Sequence, residues 1–108
     1  MIRHISLFRL LRNPENGKTM EENVQAVKAF LEKLPEMNEA IVGCQVGVSA
    51  GGPDFGMDGP AFFTDVAQVI DFADPKAAME YPMSEAHIAL VEFTKGMVEK
   101  VVAIDYEF

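Results

Sequence analysis

Hydrophobic and polar residues alternate from Ile2 to Leu11. One side presents Ile2, His4, Ser6, Phe8 and Leu10, the other Arg3, Ile5, Leu7, Arg9 and Leu11. Both sides carry apolar residues, as in a central strand covered on two faces. Asn13-Pro14-Glu15-Asn16-Gly17 has the chemistry of a loop. Thr19 and Glu22 then stand at capping-box spacing, and Met20, Val24, Val27, Leu31 and Leu34 form one helical stripe that Pro35 is expected to end. Glu39 to Ser49 reads as a second strand in which Gly43 and Gly47 suggest a bulge or a close backbone approach.

The run from Ala50 to Pro60 is rich in glycine, but it lacks the Lys-Ser/Thr of a phosphate-binding loop and opens no helix. It reads as a hairpin connection, with a pocket lid built on Phe55 and Met57 as the alternative. Val66 to Phe72 is a strand with Val66, Gln68, Ile70 and Phe72 on one face. Asp74 and Pro75 open a short helix, Tyr81-Pro82 breaks it, and Ser84 caps the next, whose stripe is Ala86, Leu90, Phe93 and Met97. Gly96 loosens the end of that helix, and Val98 to Tyr106 is the closing strand.

Strand, helix, two strands, a helix pair and a strand make a βαββαβ order. The expected fold is α+β and ferredoxin-like, one domain over residues 1–108, with an antiparallel four-stranded sheet and helices on one face. The other face needs a cover, and His4, Ser6 and Phe8 are expected on it. An apolar patch of that size is rarely left open on a soluble monomer, so a second copy packed sheet to sheet is the economical solution. The expected product is a homodimer, a dimeric α/β barrel with a partly polar cavity, in which Phe8 sits at the subunit contact.

The net charge of −8 argues against nucleic acid and anionic membrane surfaces, since no basic cluster offsets it. No apolar run reaches the ~18–20 residues that cross a bilayer. Arg3, His4, Arg9 and Arg12 interrupt any signal-peptide core. The single Cys44 makes no internal disulfide and is expected as a packing thiol in a reducing, cytoplasmic setting.

Met1-Ile2-Arg3-His4-Ile5, the strand ending at Phe72, Glu80-Tyr81 through Ala86-His87-Ile88, and Val101-Val102-Ala103-Ile104-Asp105-Tyr106 together resemble the stress-responsive A/B barrel (Dabb) domain over nearly the whole chain. The resemblance implies a dimeric α+β barrel. Family members commonly carry His-Pro-x-His where this chain has Ser84-Glu85-Ala86-His87, and the run from Ala50 to Pro60 is longer than usual. Most members have no established activity. Plant polyketide cyclases of the family close a ring with a Tyr and a His that match Tyr81 and His87, while a further cavity His falls at Val66.

His4 reads either as a buried, hydrogen-bonded imidazole or as a wall residue that orients a polar ligand. Tyr81 reads as a helix-end aromatic or as an acid/base partner of His87, whose imidazole would suit neutral pH. Two widely separated histidines without a spaced carboxylate give no metal site, and nothing marks a ligand for haem or flavin, so no cofactor is expected. The leading expectation is a homodimer that binds a small apolar or aromatic molecule in a cavity between sheet and helices, lined by His4, Ser6, Phe8, Val66, Gln68 and Ile70. A cofactor-free cyclase, isomerase or monooxygenase-like enzyme using Tyr81 and His87, or a stress-associated structural protein without ligand, are the alternatives.

Overall fold

Strand β1 (Ile2–Leu10) is bonded on both edges. Strand β3 (Val66–Phe72) pairs with it antiparallel from Ile2↔Phe72 to Phe8↔Val66, and β4 (Val98–Glu107) from Ile2↔Glu107 to Leu10↔Val98. Strand β2 (Ile41–Val48) joins the free edge of β3, giving the antiparallel order β2-β3-β1-β4. Helices α1 (Met20–Met37), α2 (Pro75–Glu80) and α3 (Glu85–Thr94) complete a βαββαβ ferredoxin-like fold. This computed structural model describes residues 1–50 and 64–108, so the expected lid residues Phe55 and Met57 lie outside the described residues.

The face of β1 expected to lie bare is the covered one. Ser6, Phe8 and Leu10 are buried with Val66, Gln68, Ile70 and Phe72 beneath α1, whose Val24, Val27, Leu31 and Leu34 fill the space above them. Phe8 is therefore a core residue of the protomer and not a subunit contact. Alternation alone could not tell the faces apart, because β1 carries apolar side chains on both. The open face holds Ile5 beside Val69 and Ile104, and Leu7 beside Ala67 and Val102. In the row above, Arg3 makes a two-pronged ion pair with Asp71 at 2.8 and 3.0 Å, and its guanidinium lies 4.4 Å from the Phe108 ring centroid. The Asp71 bond holds the Arg3 guanidinium pKa above its ordinary value. Gly43 sits against this pair, where a Cβ would come within 3.3 Å of Asp71 Oδ2, and the β2 register shifts beside it.

The caps expected from the sequence are present. Thr19 and Glu22 form a complete capping box, Asp74 Oδ1 accepts from the Ala77 N–H at 2.8 Å, and Ser84 Oγ accepts from the His87 N–H at 3.3 Å. Gly96, at φ +78°, turns the chain from α3 into β4. Helix α3 stops at Thr94, so Met97 is buried beyond it, and Phe93 stacks on Phe30 at 4.5 Å at the edge of the core.

Pro35 does not end α1, which continues to Met37 before Asn38 caps it. A proline has no N–H, so the Leu31 carbonyl one turn earlier loses its helical partner. The buried Gln68 supplies the replacement, its Nε2 donating to Leu31 O at 3.3 Å. The Cys44 thiol also approaches that oxygen, at 3.8 Å. Although Cys44 as a residue is exposed on the edge strand, burial of the thiol is the main cause pushing its pKa up, which suits an inert group. Replacing Gln68 with Met should cost about 1–3 kcal/mol by stranding the carbonyl. The loss should be smaller in a Pro35→Ala background, where the helix can supply its own N–H. Urea unfolding of the two pairs measures this, and equal losses would mean that Gln68 acts by packing alone.

Candidate functional site

Tyr81 closes α2 and opens a single 3₁₀ turn, Tyr81–Met83. Pro82 removes the next N–H, and the chain turns at Ser84 into α3. Ser84 ties the two halves together. Its hydroxyl donates to Tyr81 O at 2.6 Å and accepts from the His87 N–H, so one side chain fixes both candidate residues. The Tyr81 and His87 ring centroids are 5.2 Å apart in an edge-to-face arrangement. On its other sides the Tyr81 ring meets His4 at 5.7 Å and Phe72 at 5.3 Å. Residues 4, 81 and 87, singled out in the sequence, thus converge on one ring.

A fourth member was not read from the sequence. Asp105 lies directly across from His4 in the β1–β4 register, and its Oδ1 bonds His4 Nδ1. A carboxylate on Nδ1 holds that nitrogen as the donor and leaves Nε2 to accept. Asp105 stands in the closing Ile104-Asp105-Tyr106 run. Only the strand register, which joins residues at opposite ends of the chain, brings it to His4.

Tyr81 is 3% exposed, and its hydroxyl has no hydrogen-bond partner among the described residues. Burial, with a smaller contribution from Cys44, pushes its pKa up to about 12. Tyr81 is therefore a neutral hydroxyl at physiological pH and can donate. Ser6 Oγ is likewise buried and unpartnered. The other residues expected to line a cavity are in the packed core: Phe8, Val66 and Ile70 fill it, and Gln68 is engaged by the Leu31 carbonyl. Open space instead occurs at a groove of about 790 Å³ where the end of α1, α2 and the 3₁₀ turn meet. Tyr81 belongs to its wall with Met37, Ala77 and Met83, and Glu39, Glu80 and Glu85 also border it. His4 and His87 are not among its lining residues. Among the described residues no group of three or more His, Cys, Asp and Glu side chains is placed to hold a metal ion.

The model of a family described as the stress responsive A/B barrel domain matches residues 2–108. The chain belongs to that family. Several solved structures share the fold of this A/B barrel domain. A dimeric ferredoxin-like protein of unknown function from Bacteroides fragilis is 21% identical, with a TM-score of 0.73 over 99% of this chain and 95% of that one. A dimeric ferredoxin-like protein of unknown function from Thermobifida fusca is 25% identical, with a TM-score of 0.72 over 99% and 90%. A hydroxynitrile lyase from Passiflora edulis is 18% identical, with a TM-score of 0.71 over 97% and 90%. No curated protein matches the chain.

The raised Tyr81 pKa makes stability depend on alkaline pH. The unfolded tyrosine ionises near 10 and the folded one only near 12, so between these values the native state binds more protons and stability falls as pH rises. Unfolding free energies should drop over that window by about 1–2 kcal/mol more in the A/B barrel protein than in its Tyr81→Phe variant. Parallel slopes for the two proteins would show that Tyr81 is not the group concerned.

Proposed function

We propose that this A/B barrel protein is a homodimer that binds a small apolar or aromatic molecule beside Tyr81. The observation that carries the reading is Tyr81 itself, which lines an open groove and whose buried hydroxyl has no hydrogen-bond partner among the described residues. A buried polar atom without a partner costs free energy that a phenylalanine would avoid. A ligand oxygen, best a carbonyl, is the partner the chemistry favours, with the rest of the ligand against the apolar groove wall. His4, bonded to Asp105, would hold the Tyr81 ring from its other side.

A second reading is cofactor-free catalysis, favoured by the meeting of Tyr81 with two imidazoles, one of them bonded to a carboxylate. Tyr81 would donate to a carbonyl while His87 takes the proton from the adjacent activated carbon, as in a cyclase or isomerase step. A hydroxynitrile lyase of similar fold is in keeping with lyase-type chemistry on this scaffold. Support for the dimer comes from the open sheet face and from neighbours that are themselves dimeric.

Aryl ketones should raise the melting temperature of the wild-type protein and raise that of Tyr81→Phe less. A panel without any shift would count against ligand binding. If catalysis occurs, exchange of the ketone α-protons into deuterated water, followed by NMR, should slow by about 10²–10⁴-fold in His87→Ala and in Tyr81→Phe. Ile104, 61% exposed in the protomer, should lie in the dimer contact. Ile104→Glu should then sediment as a folded monomer where the wild type sediments at twice the chain mass, whereas Phe8→Glu should lose the protomer fold itself. A wild-type monomer at micromolar concentration would end the dimer proposal.

A further inference from the structure

The open face of the sheet is uneven. From β2 across to β4 its rows run Gly43, Asp71, Arg3, Tyr106, then Gln45, Val69, Ile5, Ile104, then Gly47, Ala67, Leu7, Val102. Along β4 the side chains are large and exposed, whereas β2 offers one glutamine between two glycines. Glycine weakens a strand interior and often marks a place where another group comes close. Gly43 has such a reason inside the protomer, in Asp71. Gly47 has none among the described residues, since a Cβ placed on it would meet nothing within 4 Å. A hollow of about 390 Å³ also lies on this face, with Gln45, Val69 and Asp71 in its wall.

A two-fold axis that stacks two such faces runs either across the strands or along them. Across the strands, each strand lies over its own copy and the rows are inverted. Tyr106 then meets the partner's Val102, Gly43 meets the partner's Gly47, and the Arg3–Asp71 pair lies on the partner's Leu7 and the partner's Ala67. Stacked sheets stand about 10 Å apart, so this crowds one side and leaves a gap on the other. Along the strands, the rows keep their level and the strand order is reversed. Tyr106 and Val102 then lie over the partner's Gly43 and the partner's Gly47, and Ile5 over the partner's Val69. Arg3 faces the partner's Asp71, and Asp71 the partner's Arg3, so the charges match across the contact as well as within each protomer.

We infer that a second copy docks with its β4 over the β2 of the first, about a two-fold axis parallel to the strands, and that Gly47 receives the partner's Val102. This rests on the dimer reading and goes beyond it by fixing which strand meets which. Each protomer both inserts β4 and receives it, so the contact is self-complementary and closes at two copies.

The test is sedimentation equilibrium of the wild type, of Gly47→Leu, and of Gly47→Leu combined with Val102→Ala. Gly47→Leu should weaken the dimer by about 10²-fold or more, because the added side chain enters both symmetric contacts, while circular dichroism shows the protomer fold unchanged. Adding Val102→Ala should recover about tenfold, although the two positions lie on opposite edge strands of one sheet. Gly47→Ala, expected to weaken the dimer about tenfold, decides the same question if the leucine variant does not fold. An unchanged or tighter dimer in the Gly47 variants would overturn the arrangement in favour of the axis across the strands, while the dimer itself stands. Weakening that Val102→Ala does not relieve would overturn it too. A monomeric wild type would overturn both this inference and the dimer reading.

Discussion

A four-stranded sheet has two faces, and among the described residues helices cover only one of them. That constraint organises the rest of the molecule. Helix α1 spends its apolar stripe on β1, β2 and β3, and the edge strand β4 is left exposed along almost its whole length. The opposite face carries Ile5, Leu7, Val69, Val102 and Ile104 in adjacent rows, too apolar for a surface that stays in water. Its charged residues suit a cover as well. Arg3 is held by both Asp71 oxygens and stacked on Phe108, so its charge is already paired before any second surface arrives. Burying it in that state costs far less than burying a lone charge. Glycine at position 43 keeps space beside the pair, which a larger residue would disturb.

The same layer between sheet and helices separates polar groups that support the fold from those that do not. Gln68 looks like a ligand contact when only the strand is considered, a single polar residue among Val66, Ile70 and Phe72. In the folded chain it answers a vacancy created by Pro35 in a different element. Asn23, also buried, is matched by Asn16, each amide donating to the other's carbonyl oxygen. Once these pairs are counted, Ser6 Oγ and Tyr81 Oη are left without a partner among the described residues. Neither hydroxyl supports the fold through a hydrogen bond, and Phe or Ala in their places would avoid the desolvation. Of the two residues, Tyr81 is the one beside open space.

Local signals in the sequence are enough for the elements and for the starts of the helices. The capping box at Thr19, the Asp74-Pro75 start and the Ser84 cap each act within one helical turn, and Val66 to Phe72 is bounded as read. Signals that fail are those whose partner is distant. The face of β1 that α1 covers depends on the sheet's pairing, and β1 is apolar on both sides, so alternation alone does not show that the His4 face is the covered one. Pro35 reads as a stop in sequence because the donor that rescues Leu31 lies in β3. Asp105 was missed because its relation to His4 exists only through strand register. Tyr81 and His87 were found because the Pro82 turn and the Ser84 cap between them are local. Their convergence with His4 again belongs to the tertiary structure.

The environment of Tyr81 also restricts which roles the gathered groups can share. A phenol with a pKa near 12 cannot act as a base at neutral pH, and its low exposure keeps competing water away from its proton. The other polar rings that touch it are the two imidazoles. They are not equivalent. His4 is anchored by Asp105 across the sheet, which restricts its ring, whereas the His87 ring projects from the first turn of α3, its backbone fixed by Ser84. Any chemistry here therefore divides into a stationary neutral donor, an imidazole oriented by a carboxylate, and a second imidazole set by a helix cap. If the site only binds, the same division presents a polar molecule with one donor hydroxyl and two differently held imidazoles.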